Sequence, residues 1–225
     1  MSAELFKTAN KAELLQGMRH ARMAIGRGHV VCVPTDTSYA LVADAFKPSA
    51  VQALRVARGM PEKSPLSVFV PGIPTLRALA AEVPEDVALL AAEFWPGALT
   101  LIVPAGESLS WDLGDTKGTV ALRMPANRIA LELLSETGPL AQSGAWAVGG
   151  KPLVSPSALR TRFSESVAVV LGAAEEKPGK SVSTVIDATS VDAPQGKLRI
   201  VREGAIPVTD IFSVVPPERF ASTIG

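Results

Sequence analysis

The apolar positions of this chain fall into short runs separated by proline, glycine and small polar residues. Val30-Val31-Cys32-Val33 is an unbroken, mostly β-branched run, the pattern of a strand buried on both faces. Pro34 has no N–H to give a central ladder, so the strand should end there. Upstream, Leu14, Leu15, Met18, Ala21 and Ile25 recur at helical spacing. Asn10 with Glu13 three residues on fits a capping box, and Gly26 and Gly28 fit a stop. Downstream, a helix should begin at Pro48-Ser49, with Ser49 as N-cap, and run to Arg58, broken by Gly59-Met60-Pro61. Strands are predicted over 66–70, 99–103, 120–122, 167–171, 185–187 and 198–201. Helices are predicted over 76–81, 87–94 and 126–135, with another opening at Pro156. Residues 111–115 read as a loop and 175–180 as an exposed one. This interleaving argues an α/β fold with a mixed sheet.

A chain of 225 residues can bury a sizeable core as one domain. The division expected is a domain over 1–212 and a C-terminal tail over 213–225, too short to be a second domain. Lys+Arg and Asp+Glu are 22 each, so no overall field draws in nucleic acid, although a local basic patch stays open. The single Cys32 lies in the apolar strand and reads as a buried structural thiol; one cysteine allows no intrachain disulfide. His20 and His29 have no carboxylate or cysteine at metal-ligand spacing, so no metal site is expected. The N-terminus has no apolar signal core, and no run approaches the ~20 apolar residues of a membrane helix. The expectation is a soluble, cytoplasmic protein without a membrane partner, its oligomeric state left open.

Thr35, Asp36, Thr37 and Ser38 stand where the buried strand opens into a loop. Strand ends are where α/β proteins place their sites, and four small polar side chains there could cradle a ligand. Tyr39, the only tyrosine, could wall it.

Pro34-Thr35-Asp36-Thr37, with Tyr39, Leu41 and Ala43-Asp44-Ala45, resembles the opening motif of the YrdC-like family, the threonylcarbamoyl-AMP synthases. The run 94–103, beginning Phe94-Trp95-Pro96-Gly97, resembles its FWPGxLTL motif. Val120-Ala121-Leu122-Arg123-Met124-Pro125 resembles VAxRxP, Ser183-Thr184-Val185-Ile186-Asp187 resembles STxxD, and Arg202-Glu203-Gly204-Ala205-Ile206 resembles REGAI. Five motifs in one order, over about residues 20 to 206, imply the YrdC-like fold: a twisted mixed sheet flanked by helices around a concave pocket.

The resemblance implies a nucleotidyltransferase that joins ATP, L-threonine and bicarbonate into threonylcarbamoyl-AMP, for modification of adenosine in tRNA. ATP would be a substrate, Mg2+ would accompany it, and no tightly bound cofactor is implied. By the family pattern Thr35, Thr37, Tyr39, Arg123 and Ser183 would bind the amino acid, with Arg123 pairing its carboxylate. Arg58, Thr100, Ser143 and Arg202 would bind nucleotide, Arg58 also serving catalysis. Read singly, Thr100 is a strand residue, Ser183 a turn residue, and both Arg123 and Arg202 surface ion pairs.

Two motifs depart from the family. Its Lys-x-Arg loop, which binds the phosphates, is here Arg58-Gly59-Met60: one ammonium has become a planar fork, and the second cation is lost. Lys63 could compensate. Its Ser-x-Asn loop falls on Gly144-Ala145-Trp146 if aligned from Pro139, or on Ala145-Trp146-Ala147 if aligned from Pro152. Ser143 could slide in, and Trp146 could stack on a base or plug the pocket. Phe69 stands where the family often has His, and Ser38 and Ala40 replace commoner Val and Gly. These departures suggest a member with weakened or altered synthase activity. The alternatives are a non-catalytic nucleotide, tRNA or double-stranded RNA binding paralogue, or a carbamoyl-transfer relative in another pathway.

Overall fold

The computed structural model describes residues 3–107, 111–146, 153–173, 181–191 and 196–221. In chain order the strands are β1 (Glu4–Phe6), β2 (Val31–Pro34), β3 (Tyr39–Asp44), β4 (Ser67–Phe69), β5 (Leu99–Pro104), β6 (Thr119–Arg123), β7 (Leu140–Gly144), β8 (Val169–Leu171), β9 (Thr184–Asp187) and β10 (Arg199–Arg202). The helices are α1 (Lys11–Gly26), α2 (Pro48–Arg58), α3 (Ile73–Leu79), α4 (Glu85–Phe94), α5 (Arg128–Thr137), α6 (Pro156–Arg162) and α7 (Val208–Val214).

The strands make one mixed sheet in the order β1-β8-β2-β3-β7-β4-β6-β5-β9-β10. The apolar run at Val30 becomes β2, which turns back as β3 in an antiparallel hairpin; Pro34 still pairs, opposite Tyr39. Side chains alternate between faces, so each strand divides its residues. On one face Cys32, Leu41, Leu101, Leu122 and Ile186 join the larger core with Leu54 of α2 and Leu90 of α4. On the other face Val31, Val33, Val42 and Val169 pack under Met18 and Ile25 of α1 and Leu133 of α5. That helical cover lies over the β8-β2-β3 end. The same face continues across β7, β4, β6, β5 and β9, where the lining of a cavity takes its place.

The helix ends follow local chemistry. Asn10 Oδ1 accepts from Ala12 N at 2.9 Å and Glu13 N at 3.1 Å; Glu13 reaches back to Lys7 N rather than to Asn10 N, so the box is displaced. The N-cap of α2 is Lys47, not Ser49: Pro48 occupies the first turn, where its missing N–H costs nothing. Asn127 caps α5 and Ser155 caps α6.

Three strands were not read from the pattern. β1 is three residues long, β3 follows a turn rich in polar residues, and β7 contains Gln142, Ser143 and Gly144. The division at residue 212 also needs correction. α7 runs across it, Ile211, Val215 and Phe220 are buried, and Leu198 bridges Phe220 in parallel. The described part of the expected tail is therefore anchored to the core through Val215 and Phe220. The expected exposed loop at 175–180 lies outside the described residues.

Candidate functional site

The uncovered part of the sheet face is the floor of a cavity of about 460 Å³. Register decides the floor. Thr100 and Ile102 of β5, Ala121 and Arg123 of β6, Ser67 and Phe69 of β4, Gln142 of β7 and Val185 of β9 are alternate residues pairing across the sheet, so they share one face. Their odd-numbered or even-numbered neighbours, such as Leu101 and Leu122, are the core.

At one end stands Arg123, 4% exposed. Its Nε donates to Gly97 O at 2.9 Å, Nη1 to Thr37 Oγ1 at 3.0 Å and Nη2 to Asp36 Oδ1 at 2.7 Å, leaving the rest of its donor fork for a ligand. The Phe94-Trp95-Pro96-Gly97 motif has a structural reason here. Trp95 Nε1 donates to Leu99 O at 2.8 Å and Gly97 N to Met124 O at 2.8 Å, which aims the Gly97 carbonyl at Arg123. Asp36 Oδ1 also accepts from Ala126 N at 3.0 Å. Burial pushes the Arg123 guanidinium below the ordinary arginine range, Asp36 opposes this, and the charge of Arg202 adds to it. The guanidinium remains a cation.

Thr35 builds the turn. Its Oγ1 donates to Ser38 O at 2.5 Å and accepts from Thr37 N at 3.2 Å and Ser38 N at 3.1 Å. Thr37 Oγ1 accepts from Arg123, so its own proton points to Thr35 Oγ1, 3.2 Å away, or to a ligand. Both threonines line the cavity. Tyr39 does not, which corrects the expectation for its ring. As the neighbour of Ser38 and Ala40 on an alternating strand it points to the larger core, against Gly172.

A second cluster closes the β5–β9 side. Thr100 Oγ1 lies 2.9 Å from Ser183 Oγ. Arg202 donates to Ser183 O through Nε at 3.0 Å and Nη2 at 2.9 Å, and to Ser183 Oγ at 3.1 Å. Thr184 Oγ1 accepts from Gly204 N and Ile206 N and donates to Ile206 O, so the segment from Gly204 to Ile206 is tied to the start of β9.

The third cluster holds the altered motifs. Arg58 reaches around from α2, and its Nε donates to Ser143 Oγ at 2.8 Å. Its Cζ stands 5.3 Å from the Trp146 ring centroid. Burial and the charge of Arg162 hold its guanidinium below the ordinary range, and its Nη1 is buried without a partner among the described residues. Met60, Ser143 and Trp146 line the cavity; Arg58 itself does not. The Trp146 ring occupies the space that a Cβ at Gly144 would need. The strand pairing runs to Ala40 opposite Gly144, with Ala145 N donating to Tyr39 O, so Ser143 is the last hydroxyl of β7 and no Asn follows it. Ala147, named in one alignment, lies outside the described residues.

The expected sites thus come together, with three exceptions. Tyr39 faces the core, Arg58 stands behind Ser143, and Lys63, offered as a substitute cation, does not line the cavity. Instead Asp115, Thr116, Lys117 and Thr119 line its open rim. These, with Ser67 and Gln142, were missed. Period-two spacing from Phe69 and Arg123 would have found Ser67, Ala121 and Thr119. Asp36, expected only as one of four polar side chains cradling a ligand, is the ion-pair partner of Arg123.

Comparison with known proteins agrees with this architecture. The family model described as Telomere recombination (Sua5_yciO_yrdC) matches residues 23–204. A Mycobacterium tuberculosis protein named "Putative threonylcarbamoyl-AMP synthase" is 39% identical over 214 residues, covering 94% of this chain and 95% of its own. The threonylcarbamoyl-AMP synthase of Pyrococcus abyssi is 34% identical over 88% of this chain, which spans 57% of that longer protein. The structure of P. abyssi Sua5 complexed with L-threonine superposes with a TM-score of 0.84 at 31% identity, over 98% of this chain and 63% of that one. Escherichia coli YciO, at 22% identity and a TM-score of 0.77 over 93% of this chain and 99% of its own, shares the fold. From residue 23 to residue 204, then, sequence and fold agree: this chain belongs to the Sua5/YciO/YrdC family.

Proposed function

We propose that this protein is a threonylcarbamoyl-AMP synthase with slowed turnover, which supplies threonylcarbamoyl-AMP for tRNA modification. The observation that carries the reading is the buried Arg123, fixed by Gly97, Thr37 and Asp36 with part of its fork open to the cavity. A carboxylate is the natural ligand of such a fork. Relatives of matching length and a threonine-complexed neighbour bring threonine to this chain as the candidate.

The threonine carboxylate pairs with Arg123, its amino group and hydroxyl facing Thr37 and Ser183. The amine condenses with bicarbonate to a carbamate, the bicarbonate hydroxyl leaving as water with a proton from the amine. A carbamate oxygen then attacks the α-phosphorus of ATP, and pyrophosphate leaves as the phosphorus–oxygen bond to it breaks. Negative charge grows on the phosphates in that step, and fixed cations and donors lower its cost. Thr100, Ser183 and Arg202 stand on one side of the path and Ser143, backed by Arg58, on the other. Asp115 is the single carboxylate lining the cavity among the described residues, which suits Mg2+ entering with ATP and held mainly by phosphate oxygens and water.

Turnover is slowed because Met60 brings a thioether to the lining where the family pattern has a cation, and Arg58 is committed to Ser143 and Trp146. The same observation favours a second reading, nucleotide binding without turnover. Calorimetry with L-threonine, on the wild type and on Thr37→Val, tests the amino-acid half. Saturable binding weakened in the variant supports the reading; binding with no dependence on Thr37 counts against it.

A further inference from the structure

The polyphosphate of the nucleotide needs a cation, and neither position of the altered motif supplies one to the lining. Among the described residues three cations line the cavity: Arg123, Arg202 and Lys117. Arg123 is held by Gly97, Thr37 and Asp36, with the open part of its fork taken by the threonine carboxylate in the reading above, and Arg202 is held by Ser183. Lys117 is exposed and has no ion pair or side-chain hydrogen bond among the described residues.

Its backbone carries a second signal. Lys117 is the one non-glycine among the described residues with positive φ, at 52°, followed by Gly118 at 76°. Thr119 N donates to Thr116 O at 3.0 Å, closing a turn over these two residues. Two positive φ values are the signature of a type I′ turn, whose first central position favours Asn, Asp or Gly. A lysine there holds a conformation that its side chain disfavours. Strain of this kind collects at ligand-binding sites, where surrounding structure enforces it.

That structure is present. Arg55, 2% exposed, donates to Ser64 O at 3.1 Å and Asp112 O at 3.2 Å. Leu66 N donates to Leu113 O at 2.9 Å and Asp115 N to Lys63 O at 2.8 Å. The loop carrying Lys117 is thereby tied to the segment that carries Met60 and Lys63. Gly114, at φ 96°, passes so close that a Cβ would fall 2.5 Å from Ser64 O.

We propose that Lys117 is the cation that holds the terminal phosphates of the nucleotide, in place of the charge lost at Met60. This rests on the nucleotide site proposed above. The probes are ATP, AMP and inorganic triphosphate, measured by calorimetry on wild type, Lys117→Asn, Lys117→Gly and Lys117→Arg. Asn and Gly suit the turn, so both variants should melt at or above the wild-type temperature. ATP should bind them about tenfold more weakly, the size of one charge-assisted contact, with AMP unchanged and Lys117→Arg close to wild type. A residue that only shapes the turn would leave ATP affinity untouched in Lys117→Asn, and that result overturns the proposal, as does an equal fall for AMP and ATP. Wild type that binds neither ATP nor AMP would sink the nucleotide site instead. In that case triphosphate binding lost in Lys117→Asn still upholds Lys117 as a polyphosphate cation, and triphosphate binding that is absent or unaffected removes it.

Discussion

Replacing Arg123 by lysine keeps the charge and removes the fork, and so separates the two things Arg123 does. The guanidinium makes hydrogen bonds of 2.9, 3.0 and 2.7 Å to three groups, one at Gly97 and two on the neighbouring residues Thr37 and Asp36. A lysine ammonium on a flexible stem cannot span them from one position, so at least two of the three bonds are lost. Each is worth about 1 kcal/mol net, and more for the bond to Asp36. The contact with the Phe69 ring, 5.7 Å from Cζ, adds about 0.5 kcal/mol. Asp36 keeps Ala126 N and some solvent exposure, so its charge is not fully stranded. The Arg123→Lys change should therefore cost about 3 kcal/mol of stability, or about 6–12 °C in melting temperature for a chain of this size. Urea denaturation measures the first figure and calorimetry the second. Threonine affinity should fall at least about tenfold, because end-on pairing with a carboxylate needs the planar fork. The reasoning is refuted if Arg123→Lys loses less than about 0.5 kcal/mol, a surface-like value, and binds threonine as before.

Three further outcomes follow from other parts of the molecule. Met60→Arg restores a cation to the lining and should raise ATP affinity by about tenfold or more in calorimetry, if the added contact is desolvated. Gly114→Ala places a Cβ against the Ser64 and Lys63 carbonyls at an unfavourable φ and should cost about 2–3 kcal/mol in urea denaturation. The carboxyl of Asp187 lies below the ordinary carboxylate range: burial would raise it, but hydrogen bonds from Arg199 and Thr189 outweigh burial. A carboxylate depressed in the folded state stabilises above its unfolded pKa and loses that contribution as pH falls through the folded one. Asp187→Asn should therefore lower the melting temperature at neutral pH, with the gap to wild type closing below about pH 4.

Most of the fold could be read from the chain, because its strands are either unbroken apolar runs or sit in recognisable motifs. β2, β5, β6, β9 and β10 all fall where the pattern puts them. β7 escaped because Gln142, Ser143 and Gly144 look like loop chemistry; they are polar because that strand faces a cavity as well as a core. β3 is hard to read because it follows directly on the polar turn over residues 35–38, which masks the start of its apolar run. The end of the chain reads as a tail because its apolar residues are few, yet Val215 and Phe220 are buried in the core beyond β10. Within the site, residues near motifs were legible and their directions were not. Whether Tyr39 faces ligand or core depends on the parity of β3, which only register fixes. The failure of Lys63 and the position of Lys117 depend on contacts between loops about fifty residues apart, through the buried Arg55.

On the proposed function, this cavity joins threonine, bicarbonate and ATP, but slowly. The most direct test is pyrophosphate release from ATP by purified protein, with and without L-threonine and bicarbonate, beside a relative that keeps Lys-x-Arg. Loss of one preorganised donor typically lowers such a rate by ~10²–10³, so release should require both co-substrates and run at least about a hundredfold below the relative. A rate equal to the relative's would contradict the weight given to Met60 and Arg58, and release that ignores threonine would contradict the site itself.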